Sequence, residues 1–267
     1  MHESQPQPAE PRREPTCAAA PCVELAGVSK RFGDKRAVVD LTLQLAPGEV
    51  FAFLGPNGAG KTTTLKMTTG LLRPDEGEVR VCGQNMLHNG RLAKQYIAYV
   101  PDQPFLYDKL TGREFIDFTG DVYGIPRSAV AARLAHLNER LDMEGFLDQI
   151  AESYSHGMKQ KIALAAALIH TPRLLVVDEP IVGLDPRTIR AIKVLFREIA
   201  QAGGTVFMST HTLDVAEAVA DRIGIINRGH LITVGTLDEL RRSSAAGGRL
   251  EDIFLTLTDG REESGDA

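Results

Sequence analysis

Residues 50–63 read Val50-Phe-Ala-Phe-Leu54, then Gly55-Pro56-Asn57-Gly58-Ala59-Gly60-Lys61-Thr62-Thr63. The first five residues form a short apolar run bounded by turn residues, which predicts a buried strand of a mostly parallel sheet. The remainder fits GxxxxGK[ST], the spacing of a phosphate-binding P-loop. That spacing has a mechanical reason. Glycines let backbone N–H groups turn inward and approach phosphate oxygens with no Cβ in the way. A helix starting near Lys61 adds the partial positive charge of its N-terminus. Lys61 brings a full charge to β- and γ-phosphate oxygens, and the Thr62 hydroxyl suits Mg²⁺. An accidental Gly-rich turn is the alternative, and the strand–loop–helix context counts against it. Nucleoside triphosphate binding is the first expectation.

A second apolar strand, 174–177, runs into Asp178-Glu179-Pro180. Acids at the C-terminal end of a parallel strand lie at the mouth of the sheet, where α/β folds bind ligands. Asp178 would hold Mg²⁺ through water, and Glu179 would orient or deprotonate the water that attacks the γ-phosphate. Alone, such a pair would read as a loop charge or a helix cap; beside a P-loop the odds reverse.

The rest of the chain alternates strand-like and helix-like patterns. Residues 23–28 and 37–45 alternate apolar and polar at period two, and 205–208 and 223–226 are further apolar strands. Helical spacing joins Val130, Leu134, Leu137 and Leu141, then Met158, Ile162, Ala165 and Ile169, then Ile189, Ile192, Leu195 and Ile199. All three stripes read as core packing. The helix-rich stretch 104–172 interrupts the α/β alternation, as a helical lobe inserted into a sheet lobe would.

With 267 residues the chain can bury a substantial core. Thirty basic against 35 acidic residues give a net charge of −5, a poor profile for coating nucleic acid. The longest purely apolar run, 162–169, is far shorter than a membrane helix requires. The N-terminus is polar and shows no cleavable signal, which predicts a cytosolic protein. Five of the 14 prolines fall in residues 1–21, which predicts a disordered tail. A short acidic tail is expected over 259–267. Cys17, Cys22 and Cys82 form no CxxC pair and offer no disulfide framework.

With these motifs in order, the chain resembles the ATP-binding subunits of ABC transporters over residues 22–258. The resemblance implies a P-loop NTPase fold: a mostly parallel sheet core, an antiparallel β subdomain and the inserted helical lobe. It also implies ATP hydrolysis with Mg²⁺. Phe32 falls where the family stacks a ring on adenine, its alternative being a core phenylalanine. Ser155-His156-Gly157-Met158 stands where the family carries its signature, commonly LSGGQ, which serves ATP held by the partner chain. Gly183-Leu-Asp185-Pro186 matches the loop that faces that partner, and His211 the switch histidine. Residues 250–257 look like the closing helix of the exporter branch with separate membrane subunits.

Two departures stand out. The signature has Tyr154, His156 and Met158 in place of Leu, Gly and Gln, while Ser155 and Gly157 remain. The family's loop glutamine should follow Pro101, yet Asp102 stands there and Gln103 comes one place later; either could serve the metal. The family's logic implies a head-to-tail dimer with itself or a paralogous subunit, closed around two ATPs and opened by hydrolysis. It further implies integral membrane permease partners, docked near 102–114 on the inner face of the membrane, and no nucleic acid. A soluble ribosome- or DNA-associated ABC ATPase is the rival reading. A single P-loop and the lack of sustained heptads or a spaced Cys cluster weigh against it.

Overall fold

The computed structural model describes residues 20–181, 184–243 and 254. In chain order, β1 (Val23–Phe32) and β2 (Lys35–Leu45) precede β3 (Val50–Leu54), which runs through the P-loop into α1 (Lys61–Thr68). β4 (Glu76–Val81), β5 (Gln84–Asn85) and α2 (Gly90–Lys94) lead to β6 (Ile97–Val100). Then come α3 (Gly112–Val122), α4 (Arg127–Leu141) and α5 (His156–Leu168). β7 (Leu174–Asp178), α6 (Pro186–Gln201), β8 (Thr205–Thr210) and α7 (Leu213–Val219) follow. The last described elements are β9 (Arg222–Asn227), β10 (His230–Gly235) and α8 (Leu237–Ser243).

Two sheets result. One is antiparallel, in the order β2-β1-β4-β5; the other has the order β10-β9-β3-β8-β7-β6 and is parallel except for β10. The expected fold class is therefore correct, including its antiparallel subdomain and inserted helices. β3 shows why its sequence is apolar throughout. Val50, Ala52 and Leu54 face one core, shared with the helices, while Phe51 and Phe53 face a second core between the sheets. There Phe207 packs against both rings, at 5.7 and 5.8 Å between centroids.

All four members of the α4 stripe are buried. On α6 the buried face is offset from the expected one. Ile192 and Leu195 are joined by Phe196 and Ala200, and Ile189 and Ile199 are half-buried, with Ile199 packed against the core. Among the described residues no helix is long and apolar enough to cross a membrane. The expected tail over 1–21 (but for Ala20 and Pro21), Gly183, the closing helix over 250–257 (but for Phe254) and the tail 259–267 lie outside the described residues.

Candidate nucleotide site

The P-loop is tied to the sheet at its first residue, where the Gly55 N–H donates to the Thr210 carbonyl at 3.3 Å. Two of its glycines are required by space. A Cβ on Gly55 would lie 2.4 Å from the Ile226 carbonyl oxygen, and one on Gly60 would lie 2.4 Å from that of Ala37. Gly60 also holds φ at +110°, outside the range of ordinary side chains. Asn57 and Gly58 form the exposed tip, with Pro56 half-buried and Ala59 buried. No side chain caps α1 at Gly60, and its first turn carries no acid. The leading N–H groups of α1 thus suit an anion. Thr62 is exposed there and Thr63 half-buried.

Lys61 is only 6% exposed. Its ammonium donates to the carbonyls of Gly55 (2.7 Å) and Pro56 (3.2 Å) and lies 3.4 Å from Glu179 Oε1. Asp178, the buried last residue of β7, stands opposite Ser209 in the parallel register. The Ser209 hydroxyl donates to Asp178 Oδ1 and accepts the Glu179 N–H at 3.0 Å. Glu179 has φ +48°, a left-handed backbone that glutamate rarely adopts. Its other oxygen, Oε2, lies 3.0 Å from His211 Nδ1. Lys61, Glu179 and His211 are thereby joined at the ends of β3, β7 and β8, three neighbouring strands. Strain held at such a point is a mark of a functional site.

Asp102 belongs to the same electrostatic neighbourhood. Burial and then the charges of Asp178 and Glu179 push its carboxyl above the usual range, while His156 and His211 pull the other way. Gln103 is exposed. The Tyr99 hydroxyl is buried and has no hydrogen-bond partner among the described residues; burial, then Asp178 and Asp102, push its pKa up. Phe32 ends β1 with 52% of its surface exposed and the Lys30 ammonium 5.8 Å from its ring centre, so it is not a core phenylalanine.

Ser155 caps α5 by accepting the Met158 N–H at 3.3 Å. His156 is exposed, and Gly157 and Met158 are half-buried. A Cβ on Gly157 would come within 3.3 Å of Leu184, so the signature turn lies against the loop before α6. Asp185 caps α6, accepting from the N–H groups of Arg187 and Thr188 and from the Thr188 hydroxyl at 2.6 Å. The Thr188 hydroxyl, then its N–H, hold that carboxyl below the usual range.

Sequence reasoning passes over two contributors. Ser209 bridges Asp178 and Glu179, and its only signal is its place two residues before His211. Tyr154 reads as a mere departure from the signature, yet its buried hydroxyl accepts the Gly112 N–H at 2.9 Å. The carbonyls of Phe146 and Gln149 lie 2.8 Å from that hydroxyl.

The donor set can be tested against Mg²⁺. Hydroxyl and carboxylate oxygens are hard ligands of the kind it prefers. Among the described residues no group of three or more His, Cys, Asp or Glu could hold a metal unaided. A metal that shares phosphate oxygens and water with the protein fits this set.

A family model described as "ABC transporter" matches residues 38–182, more than half of the chain. The linearmycin resistance ATP-binding protein LnrL of Bacillus subtilis is 36% identical over 236 residues, covering 88% of this chain and 74% of that protein. "Probable multidrug ABC transporter ATP-binding protein YbhF" of Escherichia coli is 36% identical over 223 residues, 84% of this chain but only 38% of that protein. A solved structure described as the ATP-binding subunit of an ABC transporter superposes with a TM-score of 0.83 at 32% identity, covering 88% of this chain and 99% of that one. The chain belongs to the ABC transporter family, as one of its ATP-binding, ATP-hydrolysing subunits.

Proposed function

We propose that this chain drives export through a separate membrane permease by closing head to tail with a second ATPase chain, itself or a paralogue, around two ATP molecules. The observation that carries the reading is the Lys61–Glu179–His211 chain of contacts at three adjacent strand ends. Gly55 to Thr63 cradle the phosphates, Lys61 offsets their charge, and Phe32 stacks on adenine. Glu179 accepts a proton from the attacking water, and His211 holds the Glu179 carboxylate toward the γ-phosphate. Thr62 and Asp178, together with Asp102 or Gln103, would hold Mg²⁺, which when bound neutralises charge on the phosphates. The half-buried place of Asp102, where the charges of Asp178 and Glu179 act on it, supports Asp102 over the exposed Gln103.

Ser155, His156, Gly157 and Met158 serve the ATP of the partner chain, with Asp185 beside the dimer interface. The nearness of Gly157 to Leu184, which an added Cβ would meet at 3.3 Å, supports this grouping. For the permease, the surface around 102–114 is supported by exposed aromatic residues. Phe105 is 78% exposed, and its ring meets Tyr107, which in turn meets Phe115 and Phe118 edge to face. An aromatic patch of this kind is costly to leave in water and suits a partner. It would hold the chain at the inner face of the membrane, with no nucleic acid involved. The names of LnrL and YbhF, a linearmycin resistance protein and a multidrug transporter subunit, support drug-like cargo.

Turnover of the chain alone should be compared with turnover in liposomes carrying a membrane protein that co-purifies with it. Stimulation by the membrane protein, lost when Phe105 and Tyr107 are both replaced by Ala, is the expected result. Equal turnover with and without that protein would overturn the permease reading.

A further inference from the structure

Cys22 and Cys82 lie 60 positions apart in the chain, yet their sulfurs are 3.7 Å apart. The antiparallel register explains the meeting. Val23 pairs with Val81, so the residues just outside that pair are neighbours, and the Cys82 N–H donates to the Cys22 carbonyl at 2.7 Å. Both residues line a cleft of about 940 Å³ that has no P-loop residue among its lining and includes Arg133, Arg173 and Glu198. Cys22 is buried and Cys82 half-buried, so an oxidant small enough to enter the cleft meets Cys82 first.

We propose that Cys22 and Cys82 form a peroxide-reactive dithiol that closes to an intramolecular disulfide, with Cys82 as the attacking thiolate and Cys22 as the resolving thiol. The charge distribution agrees with that division of roles. The hydrogen bond shared with Cys22 brings the Cys82 thiol down to about 7, against the opposing effect of burial and with help from Arg173. Cys22 is pushed up, chiefly by its hydrogen bond with Cys82 and next by burial, and its S–H has a carbonyl acceptor, that of Arg173, at 3.7 Å to hold the proton on Cys22. A thiolate beside a protonated thiol is the arrangement that thiol oxidation requires.

The chemistry balances with hydrogen peroxide as the named oxidant. The Cys82 thiolate attacks one peroxide oxygen, the O–O bond breaks, and hydroxide leaves and takes a proton to become water. Cys82 is then a sulfenic acid. The Cys22 sulfur attacks the Cys82 sulfur, the S–S bond forms as the S–O bond breaks, and the departing hydroxide carries off the Cys22 proton as a second water. A dithiol reductant reverses the step by exchange, regenerating both thiols. The bond would close a ring of chain from residue 22 to residue 82 that contains β1 to β4 and the whole P-loop.

The test uses the full chain carrying Cys17→Ser, treated with stoichiometric hydrogen peroxide under native conditions. Intact mass should fall by two hydrogens, a peptide linking residues 22 and 82 should appear, and dithiothreitol should restore both thiols. The oxidised chain should also melt at a higher temperature than the reduced one, since the ring restricts the unfolded state. Adding Cys22→Ser should leave a sulfenic acid on Cys82 that dimedone traps, whereas adding Cys82→Ser should leave Cys22 unlabelled. Two alkylatable thiols after peroxide, oxygen addition with no cross-link, or dimedone on Cys22 in place of Cys82 would each overturn the proposal.

Discussion

In the proposed mechanism Glu179 concentrates the chemistry of the site in one residue. Its left-handed backbone places one carboxylate oxygen toward Lys61 and the other toward His211, and its N–H is held by Ser209. Glu179→Gln keeps the shape but removes the charge and the basicity. General-base assistance is worth about 10²–10⁴ in rate, so steady-state turnover, assayed with the membrane partner present, should fall by that order. ATP binding should hold or tighten, because an amide does not repel the triphosphate as a carboxylate does. Full-rate turnover would sink the assignment. The P-loop glycines offer a contrast at the same scale. Gly60→Ala meets the Ala37 carbonyl at 2.4 Å and should lower ATP affinity and thermal midpoint together. Gly58 has nothing within 4 Å of its would-be Cβ, so Gly58→Ala should cost only the left-handed backbone penalty, about 1–2 kcal/mol. Calorimetric melting and nucleotide titration on both variants check the difference.

Single elements show how a departure in sequence is accommodated. Tyr154 replaces the family's leucine ahead of α5, and its hydroxyl ties the start of that helix to the start of α3 through Gly112. Gly112 has no room for more, since a Cβ there would lie 2.6 Å from Ile162 and 2.8 Å from the tyrosine oxygen. Tyr154→Phe leaves the buried Gly112 N–H without its acceptor, which should cost about 1–3 kcal/mol of stability. Urea unfolding measures this directly; an unchanged midpoint would mean that the hydroxyl is dispensable. The elements that were legible in sequence are those with one dominant period. The α4 stripe is buried at all four places, and β3 and β7 are the strands their apolar runs foretold. β4, β5 and β10 escape such reading because they are short or lack a continuous apolar face. Of the α6 stripe, Ile192 and Leu195 are buried and Ile199 packs against the core, while the buried Phe196 and Ala200 lie outside the counted spacing. Motif spacing singled out Lys61, Asp178, Glu179 and His211, of which the fold joins Lys61, Glu179 and His211; the Ser209 bridge and the Cys22–Cys82 meeting depend on strand register, which no local pattern carries.

At the scale of the molecule, the proposed dimer makes a prediction that no single chain can satisfy. Gly157→Asp leaves the chain's own P-loop intact but sets a carboxylate against the γ-phosphate held by its partner. That variant should bind ATP yet dimerise poorly on it, as read by light scattering. Mixed with Lys61→Ala, it should recover one complete site per heterodimer and with it ATP-dependent association. Unchanged dimerisation by Gly157→Asp alone would count against a nucleotide shared between chains.

The order of strands in the larger sheet bears on how the protein is made. β3, which delivers the P-loop, lies between β8 and β9 and pairs with both, and neither exists until the chain has been synthesised past Thr205. From Leu54 onward, a nascent chain therefore carries an apolar strand with both edges unpaired while about 150 residues are added, several seconds or more at the usual pace of translation. Over that interval Phe51 and Phe53 lack the Phe207 ring that later covers them. A ribosome-bound chain halted before residue 205 should accordingly recruit holding chaperones to residues 50–54, and one released past residue 227 should let them go.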